Sequence, residues 1–179
     1  MKLVGRQAWG AVPPRGRDPL LPEAARGVAV HYSGMDADEE ADHARCAGRV
    51  RAIQRYHMES NGWLDIAYSQ LVCLHGYVFV GRGFGIRTAA NGTTAANDGY
   101  FAICFLGNDT EGRADVTRAA RRALGELIRE YQRRYPRAVR VRPHSAFVAT
   151  ECPGRELRAY IDRRGWTAGR LRRLLTGGA

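Results

Sequence analysis

Short apolar runs alternate along this chain with longer segments in which apolar residues recur at helical spacing. The short runs lie at about residues 28–32, 69–74, 77–81, 101–106 and 138–142, and they are rich in Val, Leu, Ile and Phe. Apolar runs of four to eight residues between polar or glycine-containing segments are typical of buried β-strands. We therefore predict five strands at these positions.

The longer segments predict three helices. The first covers about residues 38–58, and its apolar stripe is Cys46, Val50, Ile53 and His57. Thr117 is the expected N-cap of the second helix, which Pro136 ends. The stripe of this second helix is Ala120, Leu124, Leu127, Ile128, Tyr131 and Tyr135. A short third helix is expected between Gly154 and Gly165, and its buried residues would be Leu157, Tyr160 and Ile161. Leu171, Leu174 and Leu175 suggest one or two further helical turns.

Strands that alternate with helices predict an α/β fold, in which helices flank a central mixed β-sheet. The chain has 179 residues, of which 45% are hydrophobic, so it can bury one sizeable core, and we predict a single domain over residues 1–179. Residues 85–99 are rich in Gly, Asn, Thr and Ala and predict a loop with a turn at Asn91-Gly92. No apolar run approaches the length that crosses a bilayer, so no membrane insertion is expected.

The charge is strongly positive, with a net +10 at pH 7 that Arg supplies almost alone. A polycation is attracted to nucleic acid, to anionic membranes or to the anionic polymers of a cell wall. An equally good explanation is a source genome that favours Arg codons, with the charges on a solvated face. No nucleic-acid-binding motif accompanies the charge, so we predict no nucleic-acid partner.

The most informative chemistry lies in one thiol and two imidazoles. His144 and Cys152 are eight residues apart, and His31 lies at the end of the first predicted strand. Two imidazoles and one thiolate leave one tetrahedral position of a zinc ion open, as in catalytic zinc sites. Taken singly, each residue has an ordinary alternative as a buried core histidine or a small buried thiol. Cys73 and Cys104, within apolar runs, are predicted core thiols, and the four cysteines do not suggest a disulfide framework.

Three further segments resemble a known family. They are Arg-Gln-Ala-Trp-Gly-Ala at residues 6–11, the segment 53–68 that ends in Trp-Leu-Asp-Ile-Ala-Tyr, and Tyr-Val-Phe-Val-Gly-Arg-Gly at 77–83. Together with the His and Cys positions they resemble the peptidoglycan-recognition proteins and the zinc amidase lysozymes of bacteriophages, which are type 2 N-acetylmuramoyl-L-alanine amidases. The resemblance runs in order from about residue 6 to residue 157.

This resemblance implies a role for each matching residue. His31, His144 and Cys152 would hold Zn²⁺, and Tyr68 would be the catalytic tyrosine. Thr150 would take the second polar catalytic role, at a position where phage enzymes tend to carry Lys and recognition proteins Thr. The implied activity is hydrolysis of the amide between N-acetylmuramic acid and L-alanine, in a phage endolysin or a bacterial cell-wall amidase. The alternative is a recognition module that binds peptidoglycan without cutting it.

The resemblance also implies a substrate preference. Gly62, Trp63 and Arg82 match residues that accompany stem peptides with meso-diaminopimelate, whose extra carboxylate a guanidinium can bind in a bidentate way. The alternatives are a core aromatic for Trp63 and a solvated charge at the end of a hairpin for Arg82. His57 is close to this region, although its place on the helix stripe favours packing equally well.

Residues 1–7 lack the apolar stretch of a secretory signal. We therefore expect a monomer that is made in the cytosol and acts on the wall after release, or a secreted protein if a leader has been removed.

Overall fold

Six strands form one mixed sheet in the computed structural model, which describes residues 1–35, 42–109 and 116–164. The strands are β1 (Lys2–Val4), β2 (Gly27–Tyr32), β3 (Gln70–Cys73), β4 (Tyr77–Val80), β5 (Tyr100–Leu106) and β6 (Arg140–Pro143). Their order across the sheet is β1-β4-β3-β5-β2-β6, and only the β3–β4 hairpin is antiparallel. The predicted α/β class with a mixed sheet is confirmed.

Four α-helices accompany the sheet within the described ranges. They are α1 (Ala44–Arg55), α2 (Thr94–Asn97), α3 (Arg118–Arg134) and α4 (Arg155–Arg163). A π-helical turn, Tyr56–Ser60, continues α1, and a 3-10 turn, His144–Ala146, follows β6. Thr117 caps α3 as predicted, because its hydroxyl oxygen accepts the N–H of Ala120 at 3.0 Å.

The sheet separates two apolar clusters. Helices α3 and α4 cover one face, where they pack on alternate residues of β2 such as Val28 and Val30. Helix α1 and Trp9 cover the other face, where Leu71 and Cys104 contribute. Because side chains alternate across a strand, His31 points to the α1 side, opposite to Val30. The sheet therefore directs His31 away from the larger core.

Three sequence predictions need correction. Helix α1 begins at Ala44 rather than near residue 38, although residues 36–41 lie outside the described ranges. The predicted loop over 85–99 contains α2, a single turn capped by the Thr93 hydroxyl, which accepts the N–H of Ala96. Strand β1 was not predicted, because three residues carry too little pattern to reveal an edge strand that pairs with β4. The turns expected at Leu171, Leu174 and Leu175 also lie outside the described ranges.

The α-helices within the described ranges are at most 17 residues long. None of them combines the length and the apolar character that a bilayer crossing requires.

Candidate functional site

Two neighbouring strands bring the predicted imidazoles together. Strands β2 and β6 pair in parallel with Val30 opposite Pro143, so the residues that follow, His31 and His144, lie side by side. Their ring centroids are 4.4 Å apart. Cys152 arrives from the loop before α4, and its Sγ lies 3.9 Å from Nδ1 of His31. One potential ligand atom from each of these three residues lies within 4.8 Å of those of the other two.

A hydrogen bond on the far side of its ring orients His31. Its Nε2 lies 2.9 Å from Oδ1 of Asn91, while its Nδ1 faces Cys152. The Asn91 Nδ2 group donates to Thr88 Oγ1 and to the carbonyls of Ala96 and Tyr100, so Oδ1 is the atom left to accept. His31 therefore donates through Nε2 and keeps the lone pair of Nδ1 directed into the site.

Asn91 is a residue of this candidate site that the sequence did not reveal. Its pairing with Gly92 is a strong turn pattern, and a turn residue is expected at the surface. The structure buries Asn91 completely and connects it to a metal-ligand candidate sixty residues away. A hint was available only in its position inside the unusually long segment 85–99, since long loops are often functional.

Burial sets the protonation of the three candidate ligands. Burial, then the nearby His144, lowers the pKa of His31 to about 3, against a smaller opposing effect of Asn91. Burial also lowers the pKa of His144, so both imidazoles are held neutral. Burial raises the pKa of Cys152 to about 11, although the N–H of Tyr32, 3.4 Å from Sγ, favours the thiolate. Without a cation this thiol stays protonated.

These residues fit a bound zinc ion. Neutral imidazole nitrogens and one sulfur are donors that zinc accepts, and a metal ion deprotonates a coordinating thiol. Nε2 of His144 is buried, and it has no hydrogen-bond partner in the described part of the chain. A buried polar atom without a hydrogen-bond partner is costly, and a bound cation would supply a partner for this nitrogen.

Tyr68 lies at the edge of this trio. Its ring centroid is 5.5 Å from that of His31 and 5.7 Å from that of His57. Burial, with smaller contributions from Cys104 and Cys152, raises the pKa of Tyr68 well above its usual range. The phenol therefore remains a hydrogen-bond donor at neutral pH. A cavity of about 240 Å³ adjoins it, and this cavity is lined by Ser33, Met35, Ala52, Ile53, Tyr56, His57 and Tyr68.

Thr150 is connected to the trio through Cys152. Its Oγ1 accepts the backbone N–H of Cys152 at 3.2 Å, which leaves the hydroxyl hydrogen available for donation. The guanidinium of Arg158 donates to the carbonyls of Thr150 and Glu151 and so holds this loop in place.

Asp65 holds the Trp-x-Asp-Ile-x-Tyr segment in place. Its carboxylate accepts from Arg6 Nη1 at 2.9 Å, from Gln54 Nε2 at 2.7 Å and from the N–H of Ile66 at 2.8 Å. The amino-terminal segment, α1 and the residues before β3 thus meet at one carboxylate. This network fixes the backbone that leads to Tyr68.

The predicted substrate residues occupy different surroundings. Gly62 is exposed with a φ of +69°, and Trp63 is half-buried against His57, with ring centroids 4.9 Å apart. Arg82 is only 7% exposed, so the alternative of a solvated hairpin charge is wrong. Its Nε donates to Ile66 O and its Nη1 to Arg87 O, both at 2.8 Å.

His57 has the environment of a packed residue. It is buried, and its Nδ1 accepts the backbone N–H of Ala67 at 3.0 Å. Burial, then the charge of Arg82, lowers its pKa to about 4. His57 therefore stays neutral and supports the segment before Tyr68 while forming part of the cavity wall.

Comparisons with known proteins show which family this chain belongs to. A family model described as N-acetylmuramoyl-L-alanine amidase matches residues 21–155. The human protein named N-acetylmuramoyl-L-alanine amidase is 36% identical over 155 residues, which are 83% of this chain and 26% of that protein. This chain therefore spans about a quarter of the length of that relative.

Solved structures of peptidoglycan-recognition proteins share the fold. A mutant of Drosophila PGRP-LB in complex with tracheal cytotoxin superposes with a TM-score of 0.83 at 25% identity, covering 93% of this chain and 96% of that one. PGRP-LE in complex with tracheal cytotoxin, a monomeric diaminopimelic acid-type peptidoglycan, has a TM-score of 0.81 at 26% identity, with 95% and 98% covered.

The role of Asn91 can be tested by removing its side chain. We expect Asn91→Ala to weaken zinc binding at the trio by about 10–100-fold, because His31 loses the acceptor that fixes its tautomer and ring orientation. Zinc affinity is measured by chelator competition in the parent and in Asn91→Ala. The zinc equivalent that Cys152→Ser lacks identifies the ion that belongs to the trio. Thr88→Ala is the matched control, since Thr88 is equally buried and bonds Asn91 but does not touch His31. Equal affinities in Asn91→Ala and the parent would contradict this positioning role.

Proposed function

We propose, because this chain belongs to the N-acetylmuramoyl-L-alanine amidase family, that it hydrolyses the amide between the lactyl group of N-acetylmuramic acid and the L-alanine of the stem peptide. Its substrate would be peptidoglycan, and it would act on the cell wall as a phage endolysin or a bacterial cell-wall amidase. The observation that carries the proposal is the convergence of His31, His144 and Cys152 beside Tyr68 and its cavity.

The second candidate function is recognition of peptidoglycan without cleavage. The similarity to PGRP-LB and PGRP-LE supports binding as well as hydrolysis. A module that only binds has no use for two neutral imidazoles and a thiol that converge on one point. Burying three such polar groups is costly unless a bound ion or partner satisfies them, and this cost favours the enzyme.

Zinc is the cofactor in this proposal, held by His31, His144 and Cys152. When bound, zinc supplies a Lewis acid that lowers the pKa of water toward ~7 and polarises a carbonyl oxygen. His31 contributes Nδ1, which its bond to Asn91 keeps unprotonated. The N–H of Tyr32 stabilises the sulfur of Cys152 as a thiolate.

Tyr68 and Thr150 contribute hydrogen bonds to the reacting amide. Because the Tyr68 phenol stays protonated, it can donate to the carbonyl oxygen of the substrate as negative charge develops there. The Thr150 hydroxyl already accepts the N–H of Cys152, so its own hydrogen is free to donate from the opposite side. Donors that are fixed before the reaction need no reorganisation when the charge appears.

Arg82 is the residue we assign to the carboxylate of a diaminopimelate stem, with Gly62 and Trp63 beside it in the chain. Within the described ranges no carboxylate forms an ion pair with Arg82, and its bonds through Nε and Nη1 go to neutral carbonyls. Burial lowers the pKa of this guanidinium, and the nearby carboxylates of Asp65 and Asp18 oppose this effect only in part, so its charge is poorly solvated. A substrate carboxylate would compensate that charge, whereas a lysine-type stem offers no such group.

The assignment as an enzyme is tested on purified cell walls. We expect the parent to release new L-alanine amino termini, and we expect His144→Ala and Cys152→Ser to abolish this release while still sedimenting with the walls. Chelation should stop the parent in the same way, and zinc should restore it. Wall binding by the parent without release of amino termini would instead establish the recognition function.

Tyr68→Phe isolates the phenolic hydroxyl. The variant should keep its zinc and its thermal stability while kcat falls on the order of 10²–10³-fold, the effect of losing one donor to an oxyanion. Tyr56→Phe is the control, because Tyr56 lines the same cavity but is 60% exposed. A kcat near that of the parent would remove Tyr68 from the mechanism, and a large loss of Tm would mark it as structural.

The preference for the stem peptide is tested with walls of both types. We expect Arg82→Ala to raise KM about 10–100-fold on diaminopimelate walls, the effect of losing a charge-assisted hydrogen bond, and to change KM little on lysine walls. Arg87→Ala serves as the control, since Arg87 is close by and pairs with Asp98. Equal losses on both walls would mean that Arg82 only holds the backbone of Ile66 and Arg87.

A further inference from the structure

A second group of nitrogen and sulfur ligands lies outside the site described above. It consists of His43, Cys46, Cys73 and His75, and one potential ligand atom from each lies within 4.8 Å of those of all the others. It shares no residue with the first trio. Both cysteines are free thiols, with exposed fractions of 5% for Cys46 and 0% for Cys73. Both histidines are half-buried.

We propose that these four side chains form a structural zinc site. Two sulfurs and two imidazole nitrogens are a complete tetrahedral set for zinc, with no position left open for water or substrate. Two thiolates and two neutral imidazoles also balance the charge of the ion, which suits a largely buried position. This closed four-ligand site therefore differs in class from the trio of His31, His144 and Cys152, which leaves one position open.

The distances agree with tetrahedral zinc. Zinc bonds of ~2.3 Å to sulfur and ~2.0–2.1 Å to nitrogen place adjacent S and N ligands about 3.6 Å apart. The Sγ of Cys46 is 3.6 Å from Nδ1 of His75. The Sγ of Cys73 is 3.8 Å from Nδ1 of His43 and 3.9 Å from Nδ1 of His75. An ion therefore fits with ligand movements of a few tenths of an ångström.

Local structure brings the ligands together in two pairs. His43 and Cys46 are three residues apart at the start of α1, so they lie on one face of its first turn. Cys73 ends β3, and His75 lies in the turn that leads to β4. This turn is closed by the N–H of Gly76, which donates to the carbonyl of Cys73 at 2.9 Å, and Gly76 has a φ of +78° that favours glycine.

Aromatic neighbours hold the ligands in position. The ring of His43 stacks on Tyr77 with centroids 3.5 Å apart, and Phe79 lies 5.8 Å away. Cys46 and Cys73 belong to the apolar cluster beneath α1, which excludes water from their sulfurs.

A disulfide between Cys46 and Cys73 is the competing arrangement. It would leave His43 and His75 without a reason to converge on the two sulfurs, whereas zinc uses all four groups. A bound zinc would clamp the start of α1 to the β3–β4 hairpin. The far end of α1 leads to Tyr56 and His57 in the cavity wall, so the ion would stabilise the helix that forms this wall.

The experiment combines zinc content with thermal unfolding. Zinc per chain is measured by mass spectrometry of metals in the purified parent, in His75→Ala and Cys46→Ser, and in Cys152→Ser. Cys104→Ser is the matched control, since Cys104 is a fully buried thiol on the same sheet face but belongs to neither ligand group. His75→Ala is included because a half-buried turn residue tolerates substitution even if Cys46→Ser fails to fold.

We expect His75→Ala and Cys46→Ser each to lose one equivalent of zinc relative to the parent. Their Tm should fall on the order of 10 °C, because a structural zinc contributes to folding directly, and chelation of the parent should reproduce the fall. Cys104→Ser should keep the zinc content of the parent. Cys152→Ser should lose the other equivalent, so that each site reports separately and either proposal can fail alone.

Unchanged zinc content in both His75→Ala and Cys46→Ser would overturn the second site. So would a Cys46–Cys73 disulfide found by thiol counting and peptide mass in protein purified without reductant. If Cys152→Ser alone keeps its zinc, the catalytic proposal fails and the structural site stands.

Discussion

The register of β2 is the constraint on which the site depends. Its six residues pair with β5 and four of them with β6, and this pairing decides which side chains reach each face. Val28 and Val30 enter the core beneath α3, while His31 emerges on the α1 side. A slip of one residue would bury the imidazole among apolar side chains and expose a valine to the ligands. The burial of Val28 and Val30 therefore fixes the position of the metal-ligand candidate.

Polar groups around His31 are then arranged by burial and by a short chain of hydrogen bonds. Asn91 is held by three acceptors and leaves one oxygen for His31, which in turn leaves one lone pair for the site. Desolvation is the main cause that keeps the imidazoles neutral and Tyr68 protonated, with smaller contributions from His144 to the pKa of His31 and from Cys104 and Cys152 to that of Tyr68. Because burial in the same apolar surroundings is the main cause of these pKa shifts, few additional polar residues are needed to set the protonation of the site.

The sequence was most informative about features that depend on local residue patterns. Five strands and three helices were predicted because short continuous apolar runs and apolar residues at period 3.6 report burial directly. The trio was predicted from residue types and from the resemblance of flanking segments. Asn91 was missed because an Asn-Gly pair has a stronger meaning as a turn than as a buried support. Cys73 was interpreted as a core thiol, which its burial confirms, but its convergence with His43 depends on how α1 packs on a hairpin thirty residues later. A contact between residues so far apart in the chain leaves no periodic pattern in the sequence.

The many arginines differ in what they indicate about partners. Arg133 and Arg134 both pair with Glu130 on the exposed side of α3, and exposed pairs of this kind contribute little and select no ligand. Arg158 and Arg6 serve the fold by holding carbonyls or Asp65. Arg82 is different, because it is buried, donates to the neutral carbonyls of Ile66 and Arg87 and forms no ion pair within the described ranges, although Asp65 and Asp18 lie close enough to raise its pKa. Net charge alone therefore cannot identify the ligand, whereas one buried guanidinium beside the segment that carries Tyr68 is the basis on which we propose an anionic one.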